Sequence, residues 1–204
     1  MPANRPVKRR MPAPARRARI VEAAVERFAE AGYRATSMGE IAERSDVARA
    51  VLYDHFPSKK ALFLAVLDDQ SAAFLREVGE RITGQGDARE RMRQTIEAVF
   101  AYAEEHPDSW RLLFGNTAHG DEDVDAAARR AHSNRVVAVS ALLAADARRA
   151  GLDPASAQAE AMVEMLIAAL RGGAEWGRER PRVSREQLVD AALDLLWTGL
   201  GNLR

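Results

Sequence analysis

Between residues 36 and 60 stand seven side chains of the types that suit a polyanion of bases and phosphates: Thr36, Ser37, Arg49, Ala50, Tyr53, His55 and Lys59. The Arg49 guanidinium can pair in bidentate fashion with guanine in a major groove. Tyr53 and Lys59 are the best phosphate anchors, and Lys59 falls in the first turn of a predicted helix whose free amides also attract phosphate. Thr36 and Ser37, where another helix begins, can bond a phosphate through hydroxyl or amide. His55 suits either a base or a phosphate. Ala50, with Ala48 nearby, leaves room for close approach of bases or sugars, thymine methyls included. Two competing roles stay open: Tyr53 packed inside its domain, and His55 as a surface residue at a helix end.

These side chains need short helices to hold them. Met38, Ile41 and Ala42 have helical spacing and predict a helix over residues 37–44. Ser45 and Asp46 break the pattern. A second helix over residues 48–55 turns Val51 and Leu52 inward. Pro57 stops it, because proline lacks an amide hydrogen and restricts the residue before it. Ser58 is the expected N-cap of a long helix reaching about residue 82. Two helices on a tight turn are the unit that lays its second helix in the major groove. Ahead of them, residues 15–31 carry Ile20, Ala24 and Phe28 on one apolar face, with Val21 and Val25 beside it, and Gly32 is the expected stop.

The stretch with its preceding helix resembles the DNA-binding domain of the TetR family of bacterial transcriptional regulators. The matching residues are the helix over 16–32, then Tyr33, Thr36, Ser37, Ile41, Ala42 and Val47, the run Leu52-Tyr53-Asp54-His55-Phe56, and Ser58-Lys59-Lys60-Ala61-Leu62. The resemblance covers roughly the first third of the chain. Asp46 stands where the turn commonly has glycine, Ala48 where a serine often caps the second helix, and Val51 where a small hydroxyl residue is common. The resemblance implies DNA contacts from Ser37, Arg49, Tyr53, His55 and Lys59. It also implies a ligand pocket among the middle helices and a four-helix dimer interface built from the last two.

Charge and composition agree with a nucleic-acid-binding head. The chain has 204 residues and no net charge, yet residues 1–60 carry 13 Lys and Arg against 7 Asp and Glu, so the remainder is acidic. Residues 1–14 hold four prolines and four basic residues without periodicity, and read as a disordered basic arm that follows phosphates or serves as a solvated tail. Cysteine is absent, which excludes a disulfide framework and thiolate metal sites. No apolar run approaches the ~20 residues that span a bilayer, and the basic N-terminus lacks the apolar core of a secretory signal. The expectation is a cytoplasmic protein with no membrane partner.

Beyond residue 60 every periodic segment is helical. Helices are expected over residues 88–105, with Asp87 as cap, and over 124–150, ended by Gly151; residues 109–114 form a short apolar segment between them. A further helix is capped by Asp153 with Pro154 at its first position. Ser184 and Gln187 form a capping box that opens the last helix, whose stripe is Leu188, Ala192, Leu195 and Leu196. Candidate pocket residues are Ile96, Phe100, Trp110, Phe114, Met162, Met165 and Trp176, with His132 as a polar member. Ordinary core is the competing role for most of them. Aromatic and methionine lining favours a mostly apolar small molecule. His119, Asp121 and Asp123 lie close in sequence, and a solvated loop outweighs a metal site there. No nucleophile, phosphate-loop or dinucleotide motif is present, and no cofactor is implied.

The expected molecule is therefore all-α: a basic arm (1–14), a three-helix helix-turn-helix domain (15–60) and a larger helical ligand-binding and dimerisation domain (61–204). The expected activity is a homodimeric repressor on a palindromic double-stranded operator, released by a small-molecule effector and with the fourth helix as the lever. The alternatives are an activator or ligand-independent regulator on the same fold, or a helical small-molecule-binding protein without DNA binding.

Overall fold

The computed structural model describes residues 12–82, 84–115 and 119–198. Two compact units divide the chain, Met1–Val66 and Leu67–Arg204, with the boundary inside one helix. Among the described residues all regular structure is helical.

The first unit opens with α1 (Ala13–Ala35), which starts earlier than its periodicity indicated. Pro14 lies in the first turn, where its missing amide leaves no hydrogen bond unmade. Residues 13 and 14 therefore belong to the helix, and residues 1–11 of the expected arm lie outside the described residues. Gly32 has φ 76°, so regular helix stops there as expected. α2 (Met38–Arg44) begins with a capping box: Ser37 Oγ accepts from the Glu40 amide at 3.2 Å, and Glu40 accepts from the Ser37 amide at 2.7 Å. The turn after α2 needs a left-handed residue, and Asp46 supplies it at φ 50°. This is the position where glycine is common, and aspartate is among the few other residues that tolerate it. α3 (Arg49–His55) has no side-chain cap, because Ala48 has nothing to offer. α4 (Lys59–Arg81) starts from Ser58, whose hydroxyl accepts from the Ala61 amide at 3.1 Å.

Ile20, Ala24, Phe28, Ile41, Leu52 and Leu62 form the buried centre of this unit. Phe63 packs edge-on to Phe28 with ring centroids 4.9 Å apart, and Tyr33 lies 5.0 Å from Phe63. Burying one large apolar side chain contributes about 1.5–3 kcal/mol, and this cluster holds α1, the two short helices α2 and α3 and the start of α4 around one centre.

The second unit contains α5 (Ala88–Glu105), α6 (Pro107–Phe114), α7 (Glu122–Arg149), α8 (Ala157–Arg178) and α9 (Arg185–Leu193), followed by a π-helical turn, Asp194–Thr198. α5 packs on α8 and α9, and α7 packs on α8. Asp87 and Ser184 cap α5 and α9 as expected. Asp121 caps α7 by accepting from the amides of Asp123 and Val124, which takes Asp121 and Asp123 into a helix start. The start of α8 differs from expectation. Ser156 is the cap, while Asp153 accepts from the Ala155 amide in a turn that includes Pro154. The α9 stripe also differs: Val189 and Leu193 are buried, whereas Leu195 is exposed. The π-helical turn after Leu193 changes the residue period, so a 3.6-residue pattern drawn through 195 loses register there.

The glycines of α8 divide by face. A Cβ at Gly173 would stand 3.1 Å from the Phe100 ring, and one at Gly177 would collide with Leu188, so these two permit close crossing of α5 and α9. Gly172 faces open space.

Substituting Ala48→Ser gives α3 the side-chain cap it lacks. The head is expected to gain about 1 kcal/mol, measurable as a rise in the chemical-denaturation midpoint, and an unchanged or lowered midpoint contradicts the account of α3.

Candidate nucleic-acid interface and body cavity

Five of the candidate DNA contacts lie on or beside the outer face of α2 and α3. Ser37, Arg49, Ala50 and Tyr53 are exposed and His55 is half-buried, while Leu52 turns fully inward. Helix geometry explains part of this pattern: with Leu52 pinned in the core, residues 50 and 53 point away from it, whereas Arg49, one turn before Leu52, sits at the edge of the inward face and reaches solvent alongside α2. Exposure removes the competing role of Tyr53 as a core residue. The Arg49 guanidinium lies against α2, where a Cβ on Gly39 would collide with its Nη2. Gly39 is thus a seat for Arg49 that sequence inspection passed over; its only signal was a glycine inside a short helix.

The other two candidates are engaged inside the head. Thr36 is buried, and its single hydroxyl proton is shared between the carbonyls of Gly32 at 2.8 Å and Arg27 at 3.1 Å. Lys59 Nζ donates to three carbonyls, Tyr33 at 2.8 Å, Thr36 at 2.9 Å and Arg34 at 3.3 Å, and lies 4.5 Å from the centre of the Tyr33 ring. An ammonium has three donors, so these carbonyls account for all of them. The geometry gives both residues a bracing role at the end of α1. α1 and α2 are further joined by ion pairs: Arg44 reaches Glu26 and Glu30, and Arg27 reaches Glu40 while also pairing with Glu30 within α1. Hydrogen bonds from Arg44 and then Arg27 hold the Glu30 carboxyl below its ordinary value.

In the second unit a cavity of about 430 Å³ lies among α4, α5, α6, α7 and α8. Its walls are mainly apolar. Phe74, Trp110, Phe114 and Leu170 form a deeply buried part, while Leu142, Arg149 and Trp197 are exposed and mark the open part. Phe74 and Phe114 pack edge-on at 5.2 Å, and Trp110 and Phe114 lie 4.2 Å apart. Among the described residues of the wall, the one buried charge is Arg135.

Of the eight expected pocket residues, Trp110 and Phe114 line this cavity. Ile96 is fully buried core, and Phe100 packs on Gly173 beside a smaller hollow. His132 bonds Glu164 at 3.0 Å and borders a second hollow together with Arg135. Met162 lines an exposed groove that continues past Trp197. Met165 and Trp176 point to the outer face of α8, where Arg180 stacks 4.3 Å from the Trp176 ring. Residues missed include Val139, Leu143 and Leu166, and above all Arg135. A signal existed for Arg135: Val124, Ala128, Ala131 and Arg135 run at helical spacing, so the arginine occupies a core position of α7.

The sequence model of bacterial regulatory proteins of the tetR family matches residues 20–66. The HTH-type transcriptional activator FasR of Mycolicibacterium smegmatis is 31% identical over 195 residues, spanning 95% of this chain and 87% of that protein. The chain belongs to the TetR family. Two solved structures share the fold at 17% identity. The fatty acid degradation regulator FadR of Bacillus halodurans superposes with a TM-score of 0.77, covering 94% of this chain and 98% of that one. FadR of Bacillus subtilis, solved in complex with stearoyl-CoA, gives 0.75 over 90% and 98%. This TetR-family protein is a transcriptional regulator and not an enzyme. No helix among the described residues is long and apolar enough to cross a membrane.

Arg49→Ala and Lys59→Met separate a reading role from a bracing one in this TetR-family head. Arg49→Ala is expected to cost about 1–3 kcal/mol on a specific operator and little on random DNA, with an unchanged melting temperature. Lys59→Met leaves three carbonyls without their donor, so it is expected to lower the melting temperature and weaken all DNA together. Equal losses on both DNAs for Arg49→Ala, or an unaltered melt for Lys59→Met, refute these assignments.

Proposed function

We propose that the protein is a ligand-responsive TetR-family regulator that binds a palindromic operator as a homodimer and leaves it when a mostly apolar small molecule fills the body cavity. The observation that carries the proposal is the apolar 430 Å³ cavity in a chain whose other unit exposes a helix-turn-helix face. Ser37, Arg49, Ala50, Tyr53 and His55 supply the DNA contacts, and Thr36 and Lys59 hold the end of α1 behind them. Arg49 is the main reader of bases, since Ala48 and Ala50 have no hydrogen-bonding side chains and Val51 is apolar. The dimer forms through α8 and α9. Met162, Met165 and Trp176 lie on one outward stripe of α8 at 51%, 62% and 46% exposure, a cost for a monomer that a symmetric partner removes. Gly172 lies on the same stripe and leaves room for a close helix crossing.

Because α4 contributes residues to both units, it is the proposed lever between cavity and DNA. Linkage requires that effector and operator weaken each other's binding by the same factor. The same coupling serves a second reading, an activator, which the FasR relative favours by its name. In that case effector binding withdraws stimulation and not repression, depending on where the operator lies relative to the promoter.

The test begins by selecting an operator from random DNA with the purified protein. Inverted half-sites and a steep fall of affinity with salt are expected. A panel of straight-chain acids, alcohols and CoA thioesters is then titrated against the complex. At least one is expected to lower operator affinity, and a panel without effect removes the effector reading. Met165→Lys is expected to shift sedimentation toward the monomer at micromolar concentration while helicity is retained; an undisturbed dimer places the interface elsewhere.

A further inference from the structure

Arg135 is a buried cation without an acid. Its side chain is enclosed, at 4% exposure, by α4, α6 and α7. Nη1 donates to Ser71 Oγ at 3.2 Å and Nη2 to the Leu113 carbonyl at 3.0 Å, while Nε is buried with no hydrogen-bond partner. The guanidinium carbon lies 5.1 Å from the centre of the Phe114 ring. Burial alone pushes its pKa down to about 10, so the group is still a cation at neutral pH. Among the described residues no carboxylate offsets it. A second buried donor without a partner, Trp110 Nε1, belongs to the same cavity wall. Burying one unpaired charge is expensive, and buried donors are normally satisfied. An arginine buried in this way lacks an anion.

The charges nearer the open part are in the opposite condition. Arg91 and Arg149 share Asp146: Arg91 bonds it through Nε and Nη2, and Arg149 Nη1 lies 2.7 Å from Asp146 Oδ1. An anion entering the cavity therefore finds its uncompensated partner at the buried end. From Arg135 to Asp146 the α7 axis rises roughly 16 Å, and Val139, Leu142 and Leu143 line the cavity between them. An extended hydrocarbon advances about 1.25 Å per carbon with ~1.5 Å bonds. The interval thus takes about a dozen carbons.

We propose that the body cavity is built for a long-chain carboxylate bound head-first, with Arg135 receiving the carboxylate and thereby selecting a free acid over its alcohol or its CoA thioester. The inference rests on the reading of this cavity as the effector site. A thioester entering acyl-end first would set a terminal methyl against Arg135 and leave the charge unmatched. An alcohol would supply one acceptor and no charge.

Calorimetric titration of the full-length protein with dodecanoate, dodecanol and dodecanoyl-CoA tests the assignment on wild type, Arg135→Met and Arg135→Lys. Wild type is expected to bind the acid roughly ten- to hundredfold more tightly than the alcohol, and more tightly than the thioester. Arg135→Met is expected to lose that preference while its alcohol affinity stays within about threefold. Arg135→Lys, which keeps the charge without the fork, is expected to retain part of it. Equal wild-type affinity for acid and alcohol, tighter binding of the thioester, or equal loss of acid and alcohol in Arg135→Met overturns the assignment. Alcohol binding without acid preference leaves the apolar effector reading standing, whereas no binding of any of the three removes both. If Arg135→Met does not fold, the wild-type acid-to-alcohol ratio and Arg135→Lys decide.

Discussion

Three main-chain carbonyls at the end of α1 converge on one ammonium, and the geometry of the reading head depends on it. A helix that ends leaves carbonyls unpaired, and here Gly32 stops α1 inside a compact domain with several polar groups near its core. Lys59 collects the carbonyls of Tyr33, Arg34 and Thr36, and the Thr36 hydroxyl returns to α1 through Arg27 and Gly32. The first turn of α4 is thereby fastened to the last turn of α1. α2 starts from the same segment through the Ser37 capping box, so the position of α3 inherits this arrangement. The Phe28, Tyr33 and Phe63 rings fill the space beneath it. A lysine matched to phosphate by its position in a helix start thus has its three donors engaged by carbonyls within the head.

The body solves a different problem. Its helices enclose an apolar volume that would collapse or fill with side chains in a plain bundle, and packing in protein interiors leaves few voids of that size. Aromatic residues of α4 and α6 line its buried end, and Arg135 places a charge there that no carboxylate among the described residues neutralises. Close crossings at Gly173 and Gly177 draw α8 onto α5 and α9.

Much of the head was legible from residues 16–62 because each local signal agreed with the others. The cap at Ser58, the break at Gly32 and the stop at Pro57 all have their effect within a few residues of themselves. Asp46 is instructive: the departure from glycine is tolerated because the left-handed turn remains and aspartate can adopt it. The body was less legible. Ile96, Phe100, Met165 and Trp176 share the apolar, helical pattern of true cavity residues, and periodicity gives a face of a helix without saying whether that face meets core, cavity or another molecule. The start of α8 and the stripe of α9 differed for local reasons, a turn around Pro154 and a π-helical turn after Leu193.

By itself the sequence determined the helical class, the capped boundaries of most helices, the helix-turn-helix and the family, because these follow from near-neighbour hydrogen bonding and from a motif of fixed spacing. Only the tertiary structure decided which polar groups are available and which are occupied. Thr36 and Lys59 find their partners across breaks in the chain, and Arg135 is buried by three helices distant in sequence. Availability is a matter of what surrounds a side chain, and the surroundings are assembled from residues far apart in the chain.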